Sequence, residues 1–92
     1  MNKIAVLGAG HGGHAMAADL SLRGNQVTLY ERPSFAHNIQ KVLRTGTIKV
    51  TGSLPLTGTA NLELVTTDIK EALKDAEFIF LPVPSFALNI GA

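Results

Sequence analysis

The fold of this chain is decided by residues 8–13, which read Gly8-Ala9-Gly10-His11-Gly12-Gly13. They follow an apolar run, Ile4 to Leu7, and precede an alanine-rich segment that begins at Ala15. This succession predicts a buried strand over residues 3–8, a tight glycine turn, and a helix over residues 12–23. The glycines at positions 8, 10 and 13 follow the G-x-G-x-x-G spacing, which is typical of turns that bind the pyrophosphate of a dinucleotide.

Each glycine of this turn has its own mechanical role in such a site. Gly8 permits the sharp turn out of the strand, Gly10 lets a pyrophosphate approach the backbone, and Gly13 lets the helix pack closely on the sheet. The helix then directs its free N–H groups and the positive end of its dipole at the phosphates. His11 and Gly12 lie inside the phosphate loop, and we expect His11 to contribute its backbone N–H more than its ring. A turn with a purely structural role is the alternative interpretation.

An acidic residue at the end of the second strand strengthens the dinucleotide hypothesis. Gln26 to Tyr30 is β-branched and aromatic, which predicts a strand, and Glu31 follows it, 18 residues beyond Gly13. A carboxylate there accepts hydrogen bonds from the adenosine ribose and repels a 2′-phosphate. The neighbouring Arg32 is a guanidinium that accommodates a 2′-phosphate. Together, Glu31 and Arg32 favour NAD as the cofactor and leave NADP open. The structural alternative for Glu31 is a surface carboxylate that binds no ligand.

The remaining elements predict an α/β fold. Residues 35–44 form a predicted helix with Phe35, Ile39 and Leu43 on one stripe, and Gly46 ends it. Residues 47–58 predict a short antiparallel hairpin, after which strands at 62–65 and 78–81 flank a helix capped by Thr67 or Asp68. Alternating strands and helices indicate a Rossmann-like parallel sheet of order 3-2-1-4 with right-handed crossovers, incomplete and interrupted by the hairpin insert.

The end of the fourth strand supplies a further candidate contact, Pro82-Val83-Pro84. Ligands of open α/β sheets bind outside the carboxyl ends of the strands, so this backbone is expected to touch the central riboses of the cofactor. Two prolines that simply terminate the strand are the structural alternative. His11 and His14 are three positions apart, but the sequence places no third ligand beside them, so we expect no metal site.

Composition limits the class of protein. The 92 residues are enough for one small domain, and the net charge of +1 gives no indication of a nucleic-acid or membrane partner. There is no cysteine and no apolar span of about 20 residues, which makes a cytoplasmic location the expectation.

With these residues placed, the chain resembles the N-terminal nucleotide-binding domain of the NAD/NADP octopine/nopaline (opine) dehydrogenase family. The resemblance implies NAD(P)-dependent reductive joining of an amino acid to a 2-oxo acid, with the substrate-binding and proton-transferring groups in a C-terminal helical domain. We therefore expect residues 1–92 to be the dinucleotide-binding part of a larger dehydrogenase, to hold no catalytic residue and to be inactive alone. His11 departs from the asparagine usual in that family. The stretches that carry the resemblance are Ile4–Ala15, Gly24–Glu31, Thr57–Ala60, Leu64–Ile69 and Ala72–Pro84.

Two other interpretations stay open at the level of sequence. The segment from Gly8 to Pro33 is also similar to FAD-dependent monooxygenases, which makes an FAD-binding domain an alternative. A non-catalytic nucleotide-binding module is the second alternative. In each case the fourth strand, Phe78 to Leu81, is apolar yet lies at the edge of the sheet, and we expect it to mediate self-association.

Overall fold

The structure is a computed structural model that describes residues 2–51 and 57–82. This part of the chain contains six strands, three α-helices and one 3₁₀ helix, which spans Pro33–Ile39. The strands are β1 Lys3–Leu7, β2 Gln26–Tyr30, β3 Thr47–Val50, β4 Gly58–Asn61, β5 Leu64–Thr66 and β6 Phe78–Phe80. The helices are α1 His11–Leu22, α2 Gln40–Thr45 and α3 Ile69–Leu73.

The main sheet confirms the predicted fold class and strand order. Four parallel strands lie in the order β5-β2-β1-β6. Numbered along the chain without the two strands of the insert, this is the predicted order 3-2-1-4. Ala5 at the centre of β1 pairs with Thr28 on β2 and with Ile79 on β6. This order brings the carboxyl ends of β1, β2 and β6 together at one edge, where an open α/β sheet binds its ligand.

The core is built by the alternation of side chains along β1 and β2. Val6, Val27 and Leu29 are fully buried, and they pack in one cluster with Ala17 of α1. Thr28 points to the opposite face of the sheet, where α3 contacts β2 and β5. The two faces of the sheet are therefore covered by different helices, as buried parallel strands require.

Helix α1 buries only part of the stripe that its apolar spacing suggests. Ala15, Ala18 and Leu22 have the spacing of one helical stripe, and Ala18 is buried, but Ala15 is exposed and Ala17 is fully buried. The rotation of the helix about its axis follows from Gly13, which is buried directly against the glycine turn. That backbone contact sets the phase of the helix more strongly than the small alanine side chains do.

The helix predicted over residues 35–44 is wrong in its form and in part of its buried face. The chain runs through the 3₁₀ helix and then α2, with Phe35 outside helical geometry at φ −118° and ψ 26°. Phe35 and Leu43 are exposed, while Ile39 and Val42 enter the core. A 3₁₀ turn has 3.0 residues in place of 3.6, so a stripe projected with the α-helical period fails across the junction.

The antiparallel insert is confirmed, but its second strand lies later than predicted. β3 pairs with β4, and Ile48 stands opposite Ala60 in the register. Ala60 is buried and Ile48 packs on the core cluster, which explains why pairing occurs there. Residues 52–56, which the prediction placed in the hairpin, lie outside the described residues, as does the segment after Pro82.

The later elements agree with prediction within one or two residues. Asp68 caps α3, because its Oδ1 accepts hydrogen bonds from the backbone N–H of Lys70 at 2.9 Å and of Glu71 at 3.4 Å. β6 forms the edge of the sheet in the described part of the chain, and Phe78 and Ile79 are 50% and 53% exposed. No helix within residues 2–51 and 57–82 has the length and apolar character needed to span a bilayer.

Candidate functional site

The glycine turn connects β1 to α1 and is anchored to the end of β2. The backbone N–H of Gly8 donates a hydrogen bond to the carbonyl oxygen of Tyr30 at 2.9 Å. Gly8 has a φ of +125°, a conformation that side chains disfavour, so the chain turns sharply at this residue. The carboxyl ends of the two central strands are therefore held together directly beneath the turn.

Gly13 is packed against backbone, whereas Gly10 faces open space. A Cβ on Gly13 would overlap the carbonyl oxygen of Gly8, so glycine is needed there for the helix to lie against the turn. A Cβ on Gly10 would meet no heavy atom within 4 Å. The space in front of Gly10 is thus open to a ligand, which agrees with the role that the G-x-G-x-x-G spacing assigns to it.

The first turn of α1 presents backbone N–H groups to the same space. Gly10 is the N-cap residue, and its carbonyl oxygen accepts the hydrogen bond from the N–H of His14 at 3.0 Å. Among the described residues no side chain caps this helix. Unpaired N–H groups at a helix N-terminus attract anions such as a phosphate.

Glu31 is buried beside the turn, with only 7% of its surface exposed. Its Oε2 accepts hydrogen bonds from the backbone N–H of Ala9 at 3.1 Å and from Nδ2 of Asn38 at 3.0 Å. Its Oε1 accepts a hydrogen bond from the backbone N–H of Arg32 at 3.0 Å. The carboxylate therefore bridges the glycine turn and the segment that follows β2.

These contacts keep Glu31 ionised. Burial alone raises the pKa of this carboxyl, because it disfavours the charged form. The hydrogen bonds from Asn38, Ala9 and Arg32 and the positive charge of Arg32 outweigh burial, and the pKa of Glu31 lies below its usual value. A fixed negative charge thus stands at the end of β2.

The turn and Glu31 face one cleft of about 820 Å³. This cleft brings together seven of the sequence-predicted binding residues, namely Gly8, Gly10, Gly12, Gly13, Glu31, Arg32 and Pro82. His11 lies on a neighbouring cavity of about 360 Å³, which shares Ala9 and Gly10 with the cleft and is also lined by His14 and Asn38. Val83 and Pro84 lie outside the described residues.

Pro82 lies close to the glycine turn. Its Cγ is 3.8 Å from the position of a Cβ on Gly8, and its Cβ is 3.9 Å from that of a Cβ on Gly12. The end of β6 therefore forms the wall of the cleft opposite Glu31, as the strand order of the sheet requires.

Phe35 and Asn38 also lie at this site, although the sequence analysis did not assign them to it. Phe35 is 46% exposed, and the guanidinium of Arg32 lies 5.4 Å from the centroid of its ring. This cation–π pair presents a flat surface at the margin of the cleft. Asn38 reaches Glu31 from the same 3₁₀ helix. The apolar spacing placed Phe35 in the core, and no motif marked Asn38.

His11 and His14 lie beside the glycine turn. The Nδ1 of His14 lies 3.1 Å from the carbonyl oxygen of Gly10, and His11 is exposed. Within the described ranges no three histidine or acidic side chains converge in a way that would hold a metal ion.

The geometry fits a dinucleotide. The open backbone at Gly10 and the free N–H groups at the start of α1 match a pyrophosphate. The ionised carboxylate at the end of β2 matches an adenosine ribose.

Comparison with known proteins gives the same result. A family model described as the N-terminus of NAD-dependent glycerol-3-phosphate dehydrogenase matches residues 3–91. The chain is 42% identical over 93 residues to an opine dehydrogenase from Arthrobacter sp. (strain 1C), covering 96% of this chain and 25% of that protein. It is 37% identical over 88 residues to a glycerol-3-phosphate dehydrogenase [NAD(P)+] from Treponema denticola, covering 96% of this chain and 24% of the relative.

A vitopine synthase from Allorhizobium ampelinum is 33% identical over 90 residues, covering 95% of this chain and 24% of the synthase. The chain therefore spans about a quarter of the length of these relatives. The matches support the dehydrogenase interpretation of the glycine turn and of the later half of the chain.

Proposed function

The chain belongs to the family of N-terminal domains of NAD-dependent glycerol-3-phosphate dehydrogenases, and from this premise we propose how it holds its nicotinamide dinucleotide. The pyrophosphate lies on the glycine turn in front of Gly10, and the adenosine ribose lies at Glu31. The observation that carries this proposal is that the open backbone at Gly10 and the buried, ionised carboxylate of Glu31 line the same cleft.

We propose NAD as the preferred cofactor over NADP. The negative charge of Glu31 repels a 2′-phosphate, and the three hydrogen bonds that hold the carboxylate prevent it from turning away. The guanidinium of Arg32 is the group that favours NADP, but it is stacked on Phe35 in this structure. Because Glu31 is buried and Arg32 is exposed, Glu31 repels a 2′-phosphate more strongly than Arg32 attracts it.

The remaining binding residues belong to the same proposal. His11 and Gly12 offer backbone N–H groups to the pyrophosphate, and Pro82, Val83 and Pro84 contact the central part of the cofactor. We treat residues 1–92 as one dinucleotide-binding domain of a larger dehydrogenase. In that protein the bound nicotinamide supplies the hydride, while the chain described here binds and orients the adenosine half and contributes no catalytic residue.

For the activity of the whole protein we propose reductive condensation of an amino acid with a 2-oxo acid. The support is the identity to the opine dehydrogenase and to the vitopine synthase over nearly the whole chain. Reduction of a small phosphorylated ketone, as the names of the glycerol-3-phosphate dehydrogenases suggest, is the second candidate and is supported by the family model and by the Treponema relative.

The cofactor proposal is tested by titrating the isotopically labelled chain with NAD, NADP and FAD and following its backbone amide resonances by NMR. We expect shifts at residues 8–13 and at Glu31 with NAD, weaker shifts with NADP, and no oxidation of NADH by the chain with pyruvate and an amino acid. Tighter binding of FAD than of NAD would overturn the proposal in favour of a flavoprotein. Turnover of NADH by the chain would overturn the expectation that it is inactive alone.

Self-association and a cytoplasmic location complete the proposal. The exposed apolar side chains of β6 support association with a second copy through the strand edge or the apolar face. The location rests on composition, and fractionation of cells with an antibody against the chain tests it.

A further inference from the structure

Asn38 makes a contact that the cofactor proposal does not use. It lies in the 3₁₀ helix Pro33–Ile39, and its Nδ2 donates a hydrogen bond to Oε2 of Glu31 at 3.0 Å. A carboxylate is only an acceptor, so the amide of Asn38 must direct its NH₂ group at Glu31 and its carbonyl oxygen away. The orientation of the Asn38 amide is therefore determined by its hydrogen bond to Glu31.

Counting acceptor positions on Glu31 shows what this contact does. An ionised carboxylate offers about four acceptor positions on its two oxygens. Hydrogen bonds from Ala9 and Asn38 occupy Oε2, and the hydrogen bond from Arg32 occupies one position on Oε1. The free position is on Oε1, which limits the ribose to one hydrogen bond with this carboxylate.

The contact also restrains the rotation of the carboxylate. The N–H of Ala9 belongs to the glycine turn and the amide of Asn38 to the segment after β2, so Oε2 is held from two elements. Asn38 further lines the cavity that adjoins the cleft through Ala9 and Gly10. It thus contacts the residue proposed for the ribose and also lines a cavity beside the phosphate loop.

We propose that Asn38 is a positioning residue that determines cofactor preference, because it holds Oε2 of Glu31 against the glycine turn and leaves Oε1 to accept the 2′-hydroxyl of NAD. This inference rests on the proposed binding of NAD at Glu31. Asn38 acts through Glu31 and contributes to selectivity by keeping the carboxylate where a 2′-phosphate would be repelled.

The test compares the chain with its Asn38→Leu and Asn38→Asp variants, and with Gln40→Leu as a matched control. Gln40 is an exposed amide two positions further along the chain, at the start of α2. The dissociation constants of NAD and NADP are measured by NMR titration, and the pKa of Glu31 is measured from its carboxyl ¹³C resonance in the free protein.

Asn38→Leu should weaken NAD binding about fivefold, which corresponds to one hydrogen bond. It should leave NADP binding unchanged or tighten it, because the adenosine ribose of NADP has no free 2′-hydroxyl to lose and the released carboxylate repels the 2′-phosphate less. The pKa of Glu31 should rise in Asn38→Leu, since burial persists after one stabilising hydrogen bond is lost, and further in Asn38→Asp, where a second carboxyl lies beside it. Gln40→Leu should leave all three quantities unchanged.

Three results would overturn the inference. An unchanged ratio of NAD to NADP affinity in a folded Asn38→Leu variant removes the role of Asn38 in preference, while the cofactor proposal stands. An unchanged pKa of Glu31 in both variants shows that the contact does not hold the carboxylate. If the unmodified chain binds neither dinucleotide, the proposed function fails and this inference fails with it.

Discussion

The backbone of Gly13 lies directly against the carbonyl oxygen of Gly8, so that a Cβ on Gly13 would overlap that oxygen. Both partners are backbone atoms, and neither can move without displacing α1 from β1. Gly10 lies on the outer side of the same turn, at φ −73°, with open space around the position of a Cβ. The glycines of one motif thus serve two purposes, packing at Gly13 and access at Gly10.

This contrast predicts different outcomes for two substitutions. Gly13→Ala should lower the free energy of unfolding by about 1–3 kcal/mol or more, because the added methyl group overpacks backbone against backbone. Gly10→Val should leave a folded domain and abolish NAD binding, because the side chain occupies the space proposed for the pyrophosphate. Urea denaturation and NMR titration measure the two effects. Unchanged NAD affinity in folded Gly10→Val would remove the assignment of the phosphate loop.

Glu31 should control both cofactor preference and the stability of the glycine turn. Glu31→Ser should raise the affinity for NADP relative to NAD by about tenfold, because a like charge near the 2′-phosphate is removed while Arg32 remains. The same variant should lose about 1–3 kcal/mol of stability, because the buried N–H of Ala9 loses its acceptor. The matched control, Glu31→Gln, keeps an acceptor oxygen and should retain more stability. A wild-type chain that binds NADP more tightly than NAD would show that Arg32 dominates.

The lowered pKa of Glu31 predicts how stability depends on pH. A carboxyl whose pKa is lower in the folded than in the unfolded chain stabilises the fold fully above its ordinary pKa, and this stabilisation is lost as the pH falls through the lowered value. The difference in free energy of unfolding between the wild type and Glu31→Gln should therefore be constant near neutral pH and shrink below about pH 4.5. Urea titrations across this range measure it, and a difference independent of pH would contradict the ionised state of Glu31.

The exposed strand β6 should cause association of the chain. Ile79 is 53% exposed and pairs with Ala5 on one side, which leaves the outer edge of the strand open within the described residues. Sedimentation at tens of micromolar should show species larger than a monomer, and Ile79→Lys should shift them to monomer, because a charge at the edge opposes strand addition. Leu43→Lys is the matched control, since Leu43 is also an exposed apolar residue but lies on α2. A monomeric wild type would exclude this mode of association.

Local chemistry explains why so much of the fold was predictable. The apolar runs at β1 and β6, the turn at Gly8 and the left-handed Gly46 at the end of α2 are each specified by residues adjacent in sequence. The segment after β2 was not predictable from spacing alone, because the helical period changes within it. Phe35 consequently lies at the margin of the cleft, while Ile39 and Val42 of the same segment enter the core.

The sequence by itself determined the chemical parts of the site, namely the glycine spacing and the acidic residue at the end of the second strand. Only the tertiary structure decided what those parts touch. Parallel pairing of β1 with β2 brings Ala9 to Glu31, and the turn after β2 brings Asn38 to the same carboxylate oxygen. Hydrogen bonds between residues distant in sequence depend on how elements pack, because no local pattern specifies which side chain meets a given backbone N–H across the fold.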